Sequence, residues 1–183
     1  MASAFTHSFV ALTGGKIAFA ERMPVGFWIT GIVCALLPDI DVIGFYLGIH
    51  YRDTFGHRGF THSLLFAALV SLLAMLVVFR KEPRFTRTWW SLTAYFFLVS
   101  ASHGVLDAMT SGGTGIAFFS PFVKTRYFLP WRPLVVSPIG VYGFFSRWGW
   151  RVIRSELLWI WLPMISLLAA ATLRRRMHQS SRS

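Results

Sequence analysis

His103 and Asp107 stand four residues apart at the end of an apolar run of the chain. A helix over this run places both side chains on one face, one turn apart. Ionisable groups in an apolar segment are costly unless they are paired or bind a metal. We therefore predict that the pair supplies two ligands to one metal, or one ligand and the carboxylate that orients it. A hydrogen-bonded pair that stabilises a helix bundle is the alternative.

A second chemical motif is Pro38-Asp39-Ile40-Asp41, which follows another apolar run. Pro38 favours a break in the preceding helix. In an extended segment the carboxylates of Asp39 and Asp41 point the same way and both could bind a metal. If the segment is helical they diverge, and only one of them is a ligand. A solvated turn rich in Asp is the remaining alternative.

A third motif contains two histidines, His57 and His62, with Gly59 between them. On a continuous helix they would lie about 140° apart. Gly59 instead favours a turn, from which both imidazoles can face one centre. Thr61 or Ser63 is then expected to cap the helix that follows.

The other ionisable groups give weaker signals. His7 stands alone near the N-terminus and is a weaker candidate ligand. His50 and Asp53 lie in a short polar stretch and are predicted to be loop residues. Four more side chains stand beside basic residues near the ends of apolar runs, and we predict that they are surface charges: Glu21, Glu82, Glu156 and His178.

Composition defines the class of protein that must position these residues. Of the 183 residues, 55% are hydrophobic and 14% are charged, against about 25% charged in soluble domains. This excludes a disordered chain and argues against an ordinary soluble domain. The formal net charge of +11 would favour nucleic acid in a soluble protein. Here the basic residues flank apolar runs, which indicates anionic lipid as the partner and no nucleic acid.

Apolar runs predict the membrane spans, which need about 20 residues each. Three runs are long enough, and two are shorter or interrupted: 59–79, 89–106 and 157–173; then 25–49, broken near Pro38, and 5–20. The predicted fold is all-α, a polytopic membrane helix bundle of four to five helices. It forms a single membrane-embedded domain over residues 1–173.

Residues 111–155 differ from the spans because they mix glycine, proline, aromatic and arginine residues. Aromatic and arginine side chains suit the lipid headgroup layer. We predict an interfacial or re-entrant segment, with a plain connecting loop that carries membrane-anchoring residues as the alternative. Residues 174–183 are predicted to be a mobile, basic cytoplasmic tail.

Basic residues also predict the orientation. Residues 80–87 and 174–176 contain clustered arginines, which the positive-inside rule assigns to the cytoplasm. The N-terminus and residues 38–62 and 107–155 then lie on the outer side. All candidate ligands are therefore expected at the outer ends of helices.

Four separate chain segments thus bring histidine and aspartate to one depth in the membrane. The candidate ligands are His7, Asp39, Asp41, His57, His62, His103 and Asp107. Nitrogen and carboxylate ligands suit zinc, and also iron or manganese. Seven ligands exceed one tetrahedral site, so we predict one or two divalent ions, with a bridging carboxylate in the case of two.

These motifs together resemble those of the YdjM-type bacterial inner-membrane family. The resemblance runs from His7 to about Phe122 and rests on four segments: Pro38-Asp39-Ile40-Asp41, His57-Arg58-Gly59-Phe60-Thr61-His62-Ser63, His103-Gly-Val-Leu-Asp107-Ala-Met-Thr110, and Gly112-Gly113 with Pro121-Phe122. Members of the family are described as membrane-bound metal-dependent hydrolases. The resemblance implies a multi-pass protein of the bacterial inner membrane, so the outer side that the basic residues predict for the site is the periplasmic side.

A more distant likeness is to zinc-dependent phospholipase C and P1-type nucleases. Their ligands also come as an early His, an Asp, a His and a His-x-x-x-Asp pair. The order fits His7, then Asp39 or Asp41, then His57 or His62, then His103 with Asp107. Those enzymes continue with a further His and a His-x-x-x-Glu pair, which this chain lacks. Their full three-metal site is therefore not predicted.

Two functions are consistent with these observations. The first is a membrane-embedded metal-dependent hydrolase of a phosphoester such as a lipid headgroup. Asp39 or Asp41 would bridge the metals or act as base, and Arg58 would bind the phosphate. The alternative is a non-catalytic membrane protein with a structural or transported metal. Transport is disfavoured because the cytoplasmic halves of runs 64–79 and 157–173 contain few polar residues.

Overall fold

The computed structural model of the chain describes residues 1–19 and 22–180. Glu21 and the last three residues of the predicted tail lie outside the described residues. Within the described part the chain is helical and has no β-strand, which confirms the all-α prediction. Six helices have ten residues or more, and two have a single turn: α1 (Ala4–Ala18), α2 (Val25–Leu36), α3 (Ile43–Tyr46), α4 (Leu64–Val77), α5 (Arg87–Ala108), α6 (Val141–Phe144), α7 (Arg147–Glu156) and α8 (Leu162–Ser180).

Two continuous helical stretches are long and apolar enough to cross a membrane, Val25–Tyr46 and Arg147–Ser180. The first joins α2 and α3 through a 3₁₀ helix, Leu37–Val42, whose first turn contains Pro38. Proline is tolerated there because its missing N–H would have no helical partner. The second joins α7 and α8 through a π turn, Leu157–Trp161.

The predicted count of four to five spanning helices is not confirmed by length and hydropathy. Helix α4 has 14 residues, fewer than the about 20 that cross the hydrocarbon core. It begins at Leu64 because Ser63 caps it, with the Ser63 hydroxyl accepting from the N–H of Phe66 at 3.1 Å. The prediction that Thr61 or Ser63 provides this cap is therefore confirmed for Ser63.

Helix α5 lies at the centre of the bundle and packs against α1, α2 and α4. Its Tyr95 stacks on Phe27 of α2 and donates a 2.8 Å hydrogen bond to the carbonyl of Ala11 in α1. Small residues make this approach possible, since a Cβ at Gly15 or Gly31 would lie within 2.9 Å of the Tyr95 hydroxyl oxygen. Tyr95 thereby holds α1, α2 and α5 close together.

The helices start and end at two opposite ends of the bundle. The start of α1, the end of α2, the start of α4 and the end of α5 meet at one end. Helix α8 packs along α1, and at the other end Arg175 donates to the carbonyls of Lys16 and Ile17. Over the residues predicted to be a mobile tail from residue 174, α8 continues to Ser180, and Arg175 bonds it to α1.

Residues 109–146 fold back over the first of these ends. Ile116 and Tyr127 pair through two backbone hydrogen bonds of 2.8 and 2.9 Å. The N–H of Leu129 bonds to the carbonyl of Ala108 at the end of α5, and the N–H of Ser137 bonds to the carbonyl of Met1. The segment predicted as interfacial is thus irregular as far as α6, and it covers the helix ends that carry the histidine and aspartate residues.

Candidate metal centre

Helix α5 provides His103 and Asp107, both completely buried, one turn apart on the same face. The Nδ1 of His103 lies 2.7 Å from the carbonyl oxygen of Ala35 in α2. A carbonyl only accepts hydrogen bonds, so Nδ1 carries the proton and Nε2 keeps its lone pair. A backbone carbonyl bonded to one ring nitrogen is the usual way in which a histidine ligand is oriented.

Asp39 approaches this pair from the 3₁₀ helix that follows α2. Its Oδ1 lies 3.3 Å from the Nε2 of His103 and 3.6 Å from the Nε2 of His62. The segment is helical and not extended, so Asp39 and Asp41 diverge, as the second of the sequence alternatives requires. Asp39 faces α5, whereas Asp41 faces the loop that precedes α4.

His62 lies in a short 3₁₀ turn, Phe60–His62, directly before the Ser63 cap. Its Nδ1 is 3.2 Å from the Oδ2 of Asp41, and its Nε2 is 3.8 Å from the Oδ2 of Asp107. The turn after Gly59 was expected from the sequence. It points one nitrogen of His62 toward Asp41 and the other toward the α5 pair.

Four ligand atoms therefore converge on one point. They lie within 4.8 Å of one another and come from two imidazoles and two carboxylates: Asp39 Oδ1, His62 Nε2, His103 Nε2 and Asp107 Oδ2. All four atoms are buried and have no hydrogen-bond partner. Buried polar atoms are hydrogen-bonded in the great majority of cases. Unpaired nitrogen and carboxylate atoms that face each other fit a metal ion, and this donor set suits zinc.

His7 of α1 lies beside this cluster. Its ring stacks on that of His103 with centroids 3.7 Å apart, and its Nε2 lies 3.5 Å from the Oδ1 of Asp107. Both ring nitrogens of His7 are buried without a hydrogen-bond partner. His7 was the weakest candidate in the sequence, yet the structure brings it to the same place.

The carboxylate of Asp41 has a different environment. Its Oδ1 accepts from the Nδ1 of His57 at 2.7 Å. Its Oδ2 accepts from the N–H of Arg58 at 3.0 Å and from the hydroxyl of Thr61 at 2.6 Å. Ligand atoms of Asp41, His57 and His62 also lie close enough to hold an ion. Unlike the first group, however, both oxygens of this carboxylate already have hydrogen-bond partners.

Arg58 is 1% exposed and connects the two groups. Its guanidinium donates to the carbonyl of Gly112 at 2.8 Å and to the hydroxyl of Thr110 at 3.2 Å, and its Nε lies 3.4 Å from the Oδ2 of Asp107. Gly113 has a φ of +91°, and a Cβ there would lie 2.3 Å from the Arg58 Nη1. The guanidinium is therefore enclosed by the chain.

The loop that carries His57 is held by a residue that the sequence did not single out, Arg126. Its guanidinium donates to the carbonyls of His57 and Tyr51, both at 2.9 Å. Burial lowers the pKa of Arg126 and raises the pKa of the Tyr51 phenol. In contrast, His50 and Asp53 form an exposed pair 3.8 Å apart, which agrees with their prediction as loop residues.

Glu156 was predicted to be a surface charge, and this prediction is wrong. Its side chain is completely buried and accepts hydrogen bonds from the backbone N–H and hydroxyl of Ser3 and from the hydroxyl of Thr6. The nearby arginines suggested a solvated helix end. Gly149, Val152 and Glu156 nevertheless recur at helical spacing on one face of α7, and all three are buried. That spacing is the signal that could have identified it.

A helical chain with stretches that can span a membrane, and with a buried cluster of histidines and aspartates, defines a membrane protein with a candidate metal centre. The family described as YdjM inner membrane protein matches residues 1–178, and the chain belongs to this family. It is 38% identical over 177 residues to inner membrane protein YbcI of Escherichia coli (strain K12), which covers 96% of this chain and 100% of that relative. The resemblance to the YdjM family is thereby confirmed.

No solved structure matches this chain. The distant likeness to zinc-dependent phospholipase C and P1-type nucleases thus receives no support from the comparisons. The family description and the name of the relative agree with the predicted inner-membrane location.

Proposed function

We propose that this protein is a membrane-embedded metal-dependent hydrolase that acts on a phosphoester-bearing amphiphile such as a lipid. The observation that carries the proposal is the convergence of four buried, unpaired ligand atoms from three chain segments. Two nitrogens and two carboxylate oxygens favour zinc, with manganese or iron as alternatives.

The proposed site holds one ion. Asp39, His62, His103 and Asp107 bind it, and the ring of His7 stacks on that of His103 beside these four ligands. Asp41 and His57 are engaged with each other, which argues against a second ion between them. A bound zinc ion lowers the pKa of a coordinated water to about 7, which provides a nucleophile at neutral pH.

The contacts divide the remaining roles among the chain's own residues. The Thr61 hydroxyl, which donates to Asp41, accepts the proton of the His62 Nδ1, and Asp41 lies 3.2 Å from that nitrogen, so Nε2 remains free to bind the metal. Arg58 neutralises the buried Asp107, is 1% exposed and donates to Gly112 and Thr110, so its burial and contacts favour a positioning role over phosphate binding. Asp39 is the better candidate base, because both oxygens of Asp41 accept hydrogen bonds.

The surroundings of Asp39 support an amphiphilic substrate. Its side chain is 15% exposed, while those of His62, His103 and Asp107 are 0% exposed. The neighbouring Ile40 and Ile43 are both more than half exposed. The one partly exposed ligand is thus followed along the chain by exposed apolar side chains, as the approach of a lipid from the membrane would require.

A multi-pass arrangement with four or five crossing segments forms part of the proposal, with the metal centre on the periplasmic side. The opposite end of the bundle carries the basic turn 80–87 and the arginines 174–176, which supports its cytoplasmic placement. Two single-cysteine variants test it in Cys34→Ala protein: Phe55→Cys near the ligands and Glu82→Cys in the basic turn. We expect only Phe55→Cys to react with an impermeant thiol reagent in intact cells. The reverse pattern would place the metal centre on the cytoplasmic side.

A structural metal is the second candidate function. It is favoured by the complete burial of His62, His103 and Asp107, which leaves little access for a substrate. A metal in this position would stabilise the bundle by joining α5 to the segments that precede α3 and α4.

One experiment separates the two functions. Detergent-purified protein is loaded with zinc and assayed for phosphate or headgroup release from phospholipids and isoprenoid phosphates, with and without a chelator. His103→Ala is compared with His50→Ala, the same substitution in the exposed turn. We expect chelator-sensitive release that His103→Ala abolishes and His50→Ala retains. Zinc-loaded protein that cleaves none of these substrates would favour the structural metal.

A further inference from the structure

The buried carboxylate of Glu156 holds the first residues of the chain against the junction of α7 and α8. Its oxygens accept from the backbone N–H of Ser3 at 2.5 Å, from the Ser3 hydroxyl at 2.6 Å and from the Thr6 hydroxyl at 2.8 Å. The indole N–H of Trp161 donates to the same Thr6 hydroxyl at 2.7 Å. Four hydrogen bonds thus connect the N-terminal turn of α1 to a segment 150 residues away.

The π turn after Glu156 explains how two residues of one helix reach this turn. In a regular α-helix, residues five apart lie about 140° apart around the axis. The wider turn at Leu157–Trp161 brings Glu156 and Trp161 to the same side, where both contact Thr6. Single π turns inside α-helices are often found at functional sites.

The segment held by Glu156 also contacts Asp107 of the candidate metal centre. The backbone N–H of Ala2 donates to the Oδ1 of Asp107 at 2.6 Å. His7 lies one helical turn after Ser3, and the N–H of His7 donates to the carbonyl of Ser3 at 3.2 Å. Fixing Ser3 therefore fixes the Ala2 N–H and the His7 imidazole, the two groups that approach the Oδ1 of Asp107 from this segment.

We propose that Glu156 is a positioning residue of the metal centre, a role that rests on the proposed metal site. It holds the start of α1 so that the Ala2 N–H occupies one oxygen of Asp107 and leaves the other for the metal. It also sets the distance of the His7 imidazole from that carboxylate. Without Glu156, Asp107 can rotate or bind through both oxygens, and His7 moves away from the ligands.

The test uses cobalt(II) as the metal, because its visible absorption reports the number and geometry of ligands. Apo protein is titrated with cobalt(II) in detergent for wild type, Glu156→Gln and Glu82→Gln. Glu82 lies in the turn between α4 and α5, far from the ligands along the same bundle, and provides the matched substitution. We expect Glu156→Gln to weaken cobalt binding about 10- to 100-fold, the range for residues that orient metal ligands. It should also change the absorption spectrum, and Glu82→Gln should do neither.

A milder variant separates positioning from folding. Ser3→Ala removes one hydroxyl donor to Glu156 and leaves the carboxylate and the Ser3 N–H in place. We expect a smaller loss of affinity with a spectral change in the same direction. If Glu156→Gln does not fold, an unchanged Ser3→Ala spectrum overturns the positioning role.

The outcomes also separate this inference from the proposed function. Wild-type protein that binds no cobalt or zinc would overturn the metal centre and the positioning role together. Wild-type protein that binds metal, together with a Glu156→Gln variant of equal affinity and identical spectrum, would overturn the positioning role alone. A purely structural Glu156 would lower the unfolding temperature without moving the spectrum of the folded fraction.

Discussion

Asp39 and Asp41 are separated by one residue in a single 3₁₀ helix, yet their carboxylates have opposite environments. The Oδ1 of Asp39 is buried without a hydrogen-bond partner and faces unpaired nitrogens of His62 and His103. Both oxygens of Asp41 accept hydrogen bonds, from His57, the backbone of Arg58 and Thr61. In the proposed metal site, hydrogen-bond pairing and not residue type would distinguish the ligand, Asp39, from the residue that orients a ligand, Asp41.

This distinction matters because the free-energy cost of burying a charged carboxylate must be offset in either environment. Around Asp41 the chain itself supplies it, through one imidazole, one backbone N–H and one hydroxyl. Around Asp39 the neighbours are other unpaired ligand atoms, and in the proposed site the bound cation would supply the compensation. Substitutions in the two environments should therefore have different effects on metal binding.

The largest effect is expected for Asp107→Asn, in the unpaired group. The variant loses one of four metal ligands, and structural zinc sites supply about 10–16 kcal/mol in total. It also leaves the buried guanidinium of Arg58 without its carboxylate. We expect purified protein to lose nearly all bound zinc by elemental analysis, whereas Asp53→Asn in the exposed turn should retain it. Full occupancy in Asp107→Asn would remove this residue from the ligands.

Arg58 joins the two environments, and Arg58→Ala is expected to have the next largest effect. Breaking a buried ion pair by removing one partner costs about 3–5 kcal/mol. We expect a clear drop in the unfolding temperature of the metal-free protein, and a smaller loss of zinc affinity. A matched control is Arg52→Ala, which lies on the exposed loop. Equal unfolding temperatures for the two variants would contradict the buried role of Arg58.

Asp41→Asn should have an intermediate effect, since this carboxylate orients His62 without binding the metal. Loss of such a residue typically weakens metal binding about 10- to 100-fold. We expect zinc still to bind at high concentration, as measured by competition with a coloured chelator. A loss as complete as that of Asp107→Asn would show that Asp41 is itself a ligand, and would revive the two-ion arrangement.

Much of the candidate site could be predicted from the sequence where a regular helix sets the geometry. The spacing of His103 and Asp107 gave their shared face on α5, because the helical repeat fixes it. The choice between Asp39 and Asp41 could not be made in advance, since a Pro-Asp-x-Asp segment can be extended or helical and the two conformations divide the carboxylates differently. The structure adopts the 3₁₀ conformation, in which they diverge.

Prediction of the fold from the sequence is limited in the same way, by contacts that are not local. Apolar runs located most helices, but the start of α4 depends on the Ser63 cap and the preceding turn, so the helix is shorter than the run. Glu156 was missed because its charge and its arginine neighbours resemble a solvated helix end. Its burial depends on Ser3 and Thr6, more than 140 residues away in sequence, a contact that no local pattern encodes.

The smallest effect is expected for Thr61→Val, which removes the hydroxyl between Asp41 and His62 and leaves both of those side chains in place. The Thr61 hydroxyl has one proton and donates it to the Oδ2 of Asp41 at 2.6 Å, so its 3.1 Å contact with the Nδ1 of His62 accepts the histidine proton. Valine keeps the shape of the side chain but can neither donate nor accept.

One hydrogen bond to a charged group contributes about 1.5–3 kcal/mol, but Thr61 is only partly buried, so solvent can replace part of this contribution. We expect zinc affinity to fall less than in Asp41→Asn, because the carboxylate stays 3.2 Å from the Nδ1 of His62 and keeps its bonds to His57 and the backbone of Arg58. The control is Thr93→Val, since the Thr93 hydroxyl bonds to the carbonyl of Trp89 in α5 and touches neither aspartate. Chelator competition measures both variants against wild type. If Thr61→Val weakens zinc binding as much as Asp41→Asn does, the hydroxyl and not the carboxylate fixes the orientation of His62.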